Sequence, residues 1–104
     1  MSYTVIAEFL VKEDKKKEFE KLILEHAHQS VSSESGCFVF DVLKSKEQKN
    51  LYFLYEVYEN EIQYQVHRDT KRYKKNIKII EKLVLKNKNN LFHRRHIFEK
   101  ISIS

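Results

Sequence analysis

A chain of 104 residues, 41% apolar and 34% charged, is long enough for one packed core, and no apolar run approaches the ~18 residues of a membrane span. The formal net charge of +5 is concentrated in "RDTKRYKKNIK" and "KNKNNLFHRRHIFEK". No recognition motif accompanies it, and Lys, Asn and Ile are abundant throughout, so neither a nucleic-acid partner nor a membrane is expected. A single cysteine excludes an internal disulfide and suits a reducing cytoplasm. The opening "MSYTVIAEFLVKED" places acidic residues where an export signal would be apolar, so a cytoplasmic protein is expected.

Residues 3–12, "YTVIAEFLVK", read as a strand with Tyr3, Val5, Ala7, Phe9 and Val11 on one face and Ile6 and Leu10 on the other. Asp14 is the expected N-cap of a helix whose stripe is Phe19, Leu22, Ile23, Ala27, Ser30 and Val31. Gly36, the only glycine, is expected at the helix-to-strand return with a positive φ. Residues 37–44, "CFVFDVLK", and 51–58, "LYFLYEVY", read as a hairpin around "SKEQKN". "ENEIQYQVHRD" and "TKRYKKNIKIIEKLVL" read as helical, with Tyr73, Ile77, Ile80 and Val84 on one side. After "KNKNN" comes a last strand over 91–98.

The order β-α-β-β-α-β predicts one domain over 1–104, an α+β ferredoxin-like fold with an antiparallel sheet and helices on one face. The second sheet face is expected to be apolar too, through residues such as Phe9 or Phe53, and a second copy of the chain would cover it.

His26 lies about 20° from Phe19 at 100° per residue, inside the apolar stripe, whereas His28 lies nearly opposite. A core-facing histidine is either a satisfied structural residue or a neutral imidazole available for proton transfer. His67, on the second helical segment, carries the same pair of readings. Tyr55 and Glu56 point to opposite sides of their strand, so one of them reaches the helix side. Metal binding is not expected: His26 and His28 diverge on a helix, and His93 and His96 on a strand. Cys37 reads as a small buried apolar residue. One glycine cannot build a phosphate loop, so no nicotinamide, flavin or other cofactor is expected.

The run "SVSSESGCFVFDVLKSKEQKNLYFLYEVYENEIQYQVHRDTKRY" resembles the antibiotic biosynthesis monooxygenase family. The likeness rests on Ser–x–x–x–Glu–x–Gly–Cys, then Phe–Asp–Val, then Glu–x–Tyr, then a helix ending in His–x–x–Thr, and covers about residues 3–98. It implies ferredoxin-like subunits paired through their sheets as a dimeric α+β barrel, with a pocket between sheet and helices. "VKEDKKKEFEK", "FDVL" and the Tyr–Glu–x–Tyr strand are most similar to the branch that isomerises a phosphorylated autoinducer-2-type diketone.

The resemblance implies a cofactor-independent monooxygenase acting on a quinol-like or other small carbonyl compound. The alternatives are the isomerase, with a phosphate anchored by Lys and Arg near 68–75, and a non-enzymatic small-ligand-binding homodimer. It implies catalytic roles for His26 and His67 and substrate-binding roles for Phe53, Tyr55 and Tyr73; Glu56, from its place on the strand, is expected among the substrate-binding residues as well. Arg72 stands where the family carries a second histidine. The absence of tryptophan weighs against the haem-degrading and polyketide-quinone members.

Overall fold

The computed structural model describes residues 2–87 and 93–102. The strands are β1 (Tyr3–Leu10), β2 (Cys37–Lys44), β3 (Leu51–Tyr58) and β4 (Arg94–Glu99); the helices are α1 (Lys16–Ser33), α2 (Glu61–Arg68) and α3 (Lys71–Leu83). All pairings are antiparallel and the strand order is β2-β3-β1-β4. This is the ferredoxin-like arrangement expected from the sequence. The first two residues of the expected last strand, 91 and 92, lie outside the described residues.

The helices cover one face of the sheet. Val5, Ala7 and Phe9 of β1 and Tyr52, Leu54 and Tyr58 of β3 are buried against Phe19 and Ile23 of α1 and Ile80 and Leu83 of α3. Phe9 therefore belongs to the helix side, not to the second face. That second face carries Ile6, Phe38, Tyr55, Val57 and Phe98 around a shallow groove.

Several local expectations are corrected. Asp14 does not cap α1: it lies inside a 3-10 turn, Glu13–Lys15, and the capping position, Lys15, makes no side-chain cap. Val31 is 44% exposed, so the stripe of α1 ends at Ser30. The helical reading of "LVL" stops at Leu83, after which Val84 turns extended and bridges to Val11.

Gly36 has no positive φ. A Cβ there would overlap the Gln63 side chain on α2, which would have to move aside to admit it. The Gly36 carbonyl accepts from Glu59 N at 2.9 Å, drawing the end of β3 against this turn. The left-handed position is Asn50 instead, at φ 67° in the β2–β3 connection, a conformation Asn tolerates better than most residues.

Two features set where the side chains on β2 and the second helical region point. A β-bulge between Cys37 and Val39 breaks the alternation of β2. Cys37 and Phe40 can then both face the helices, while Phe38 is 53% exposed on the far side. The second helical region is split at Asp69–Thr70. The Thr70 hydroxyl donates to the His67 carbonyl at 2.8 Å and accepts from Tyr73 N at 3.0 Å. One side chain thus closes α2 and opens α3, which gives the His–x–x–Thr spacing a structural meaning.

Candidate active site

Between the helices and the sheet lies a cavity of about 40 Å³, lined by residues including Phe40, Leu54, Tyr64, Ile77 and Ile80. His26, Glu56, His67 and Tyr73 reach it from α1, β3, α2 and α3. The structure therefore brings together four of the six expected site residues. Phe53 and Tyr55 are not among the lining residues. They alternate with the inward-facing Leu54 and Glu56, and Tyr55 opens onto the groove of the opposite face. Their assignment to the pocket is corrected accordingly.

The two histidines are almost wholly buried, His26 at 4% and His67 at 1% exposure. Their Nε2 atoms lie 3.4 Å apart, and the rings meet edge-on. Asn76 Nδ2 donates to His26 Nδ1 at 2.9 Å. On the other side His67 Nδ1 donates to Glu34 Oε1 at 2.9 Å, and Arg72 pairs with Glu34 Oε2. Arg72 is thus engaged by the carboxylate that holds His67. Burial holds His26 far below the usual histidine range, at about 3, with the neighbouring His67 and Arg72 adding to the shift. It is therefore neutral near pH 7.

Glu56 is buried on β3, and Tyr58 Oη donates to its Oε1 at 2.6 Å. Burial raises its carboxyl to about 7; the Tyr58 hydrogen bond and the positive charges nearby oppose the rise without cancelling it. Near neutrality it can hold or release a proton. Cys37 is buried, and burial with the Glu34 and Glu56 charges pushes its thiol up to about 12, so it is not a nucleophile. Arg95 also lines the cavity and donates to Tyr64 Oη at 2.7 Å. His93 lines it and stacks on Phe9 at 5.4 Å. Among the described residues no group of three or more His, Cys, Asp or Glu is arranged to hold a metal ion, and no helix is long and apolar enough to cross a membrane.

Sequence reasoning missed Glu34, Asn76, His93 and Arg95. Asn76 carried the same signal as His26, a polar residue within an apolar helical stripe, since it falls between Tyr73 and Ile80. Glu34 gave no periodic signal because it stands one residue beyond α1.

The sequence model of the family described as "Antibiotic biosynthesis monooxygenase" matches residues 2–78. No curated protein matches the chain. Among solved structures, a candidate antibiotic biosynthesis monooxygenase of Caulobacter crescentus superposes with a TM-score of 0.88 at 22% identity, over 97% of this chain and 91% of that one. One from Nitrosomonas europaea gives 0.86 at 23% identity, over 96% and 90%. A conserved protein of Methanosarcina mazei gives 0.86 at 20%, over 96% and 93%. At these identities the structural likeness speaks for the fold.

Proposed function

Because the chain belongs to the antibiotic biosynthesis monooxygenase family, we propose that it is a cofactor-independent monooxygenase acting on a small, acidic hydroxyl or carbonyl compound. The observation that carries this reading is the buried Glu34–His67–His26 chain beside an apolar cavity. A carboxylate behind an imidazole holds the ring in one tautomer and stabilises the imidazolium formed on proton transfer. His67 Nε2 is then the base. His26, whose Nδ1 already accepts from Asn76, offers its Nε2–H to the anion that forms. This exchanges the base role first expected of His26 for that of a donor.

A substrate hydroxyl placed between the rings replaces their long 3.4 Å contact, losing its proton to His67 and gaining a hydrogen bond from His26. Where the hydroxyl is the enol of a CH₂ ketone, the resulting enolate, reacting at its carbon, and not the protein, reduces oxygen. A CH₂ group becomes a carbonyl, one oxygen atom enters it, and the other leaves as water with the two hydrogens. Glu56, which lines the cavity and is near its own pKa at neutrality, would give a proton to the departing oxygen.

The cavity size limits the substrate. About 40 Å³ holds a few waters, whereas cavities that take benzene are about 150 Å³. A small carbonyl compound needs modest widening, and a quinol ring requires the wall to move. The isomerase alternative needs a phosphate anchor. Two of its expected cations are otherwise employed: Arg72 pairs with Glu34, and Arg68 lies over the Tyr64 and Tyr73 rings. Arg95 is the cation on the cavity wall among the described residues.

Oxygen consumption with a panel of quinols and diketones tests the proposal. Oxygen uptake matching product formation one to one is expected. Conversion of a phosphorylated diketone without uptake would transfer the protein to the isomerase reading. The apolar second face, with Phe38 and Phe98 about half exposed, supports pairing with a second copy. Light scattering at micromolar concentration should give a dimer, and a stable monomer would remove that part.

A further inference from the structure

We propose that Asn76 is a positioning residue: it fixes which nitrogen of each histidine carries the proton, and so decides which of the two is the base. The proposal rests on the reading of this cavity as the reacting site. The argument is one of donors and acceptors. Asn76 sits on α3, buried, with its amide nitrogen 2.9 Å from His26 Nδ1. An amide nitrogen only donates, so His26 Nδ1 must be a lone pair. A neutral imidazole carries one proton, which puts it on His26 Nε2.

That N–H points at His67 Nε2, 3.4 Å away, which must then accept. The His67 proton is left on Nδ1, where the Glu34 carboxylate takes it at 2.9 Å. Every atom in the chain Asn76–His26–His67–Glu34 is satisfied by this one arrangement. The two histidines hold opposite tautomers, Nε2–H at His26 and Nδ1–H at His67. Both ends enforce it, since an acceptor-only group closes one end and a donor-only nitrogen closes the other.

Reversing the polarity at one end should break the agreement. The carboxylate of Asn76→Asp is nearly the same size as the amide but can only accept. It calls for an N–H at His26 Nδ1. His26 then either turns its Nε2 lone pair toward that of His67 or takes a second proton, and in both cases Nδ1 becomes protonated. In the first case the Nε2–H that the anion needs is lost without the loss of any ring; in the second it is kept, on a ring that now carries a charge.

The experiment uses the whole chain, ligand-free and labelled with ¹⁵N at histidine. Two-bond ¹H–¹⁵N spectra read each ring nitrogen as protonated or bare, and His26→Gln and His67→Gln variants assign the signals. At pH 8 the wild-type protein should show bare Nδ1 and protonated Nε2 at His26, and the reverse at His67. Asn76→Asp should convert His26 Nδ1 to the protonated type, and where the same spectra show Nε2 bare, turnover should fall by roughly 100-fold or more per folded molecule. Protonated Nδ1 at His26 in the wild type overturns the proposal, as does an unchanged bare Nδ1 in folded Asn76→Asp. Should that variant not fold, the wild-type spectrum still decides. The expected tautomers without turnover on any compound uphold this assignment and sink the monooxygenase reading alone. Turnover by a protein with Nδ1–H at His26 does the opposite.

Discussion

Replacing His67 by alanine is expected to lower turnover by roughly 10²–10⁴-fold, the usual contribution of a positioned general base. The ring is 1% exposed, its Nδ1 is held by Glu34, and its Nε2 meets His26 at the cavity. This wall imidazole is held from behind by a carboxylate. His26→Ala should fall in a similar range for a different reason, because it removes the donor to the anion rather than the base. Added imidazole distinguishes the two roles. It should restore part of the rate in His67→Ala, where a base is missing, and little in His26→Ala, where a fixed donor is missing. His28→Ala, on the exposed side of α1, should leave the rate unchanged. Rates are compared per folded molecule, since both buried rings also pack the interior. A wild-type rate in the folded fraction of His67→Ala would end the base assignment.

The second large effect is on stability. Glu56→Gln is expected to stabilise the protein above pH 7 and to do little near pH 4. Burial moves the Glu56 carboxyl from 4.5 to about 7. Between those values the folded protein keeps a proton that the unfolded chain has released, so this group lowers stability as pH rises through the window and levels off above it. A shift of this size corresponds to about 3 kcal/mol at full development. Glutamine is uncharged, and its side-chain oxygen can still accept from Tyr58.

His26 works in the other direction. Its folded value lies well below its unfolded one, so its contribution is present above about pH 6.5 and is lost as pH falls toward 3. Comparing wild type with Glu56→Gln at each pH, by urea unfolding at pH 4, 6 and 8, isolates the carboxyl. A difference that shrinks or reverses on going from pH 4 to pH 8 would show that Glu56 is not held in its acid form by burial. If Glu56 also returns protons during the reaction, the same variant will be more stable and less active. That is the usual relation between a strained site and its function.

Much of the architecture could be read along the chain. Two periods, 3.6 in "KKEFEKLILEHAHQS" and 2 in "LYFLYEVY", are local properties, and their order along the chain is that of the ferredoxin-like fold. The same arithmetic placed His26 in the core face, because a residue seven positions from Phe19 returns to nearly the same side of the helix. Other features needed the third dimension. Alternation on β3 groups Tyr52, Leu54, Glu56 and Tyr58 against Leu51, Phe53, Tyr55 and Val57, but both groups are largely apolar. Nothing local says which group the helices will cover, so Glu56 could be placed inside, and Phe53 and Tyr55 outside, only once the sheet was packed. The bulge that lets Cys37 and Phe40 face the same side is a mismatch between two strands and has no counterpart in either strand alone. The proton chain is the extreme case. Asn76, His26, His67 and Glu34 meet from distant parts of the sequence, successive partners standing 50, 41 and 33 positions apart. Hydrogen bonds act over about 3 Å, so only the packing of α1, α2 and α3 over the sheet could decide that these four side chains share protons.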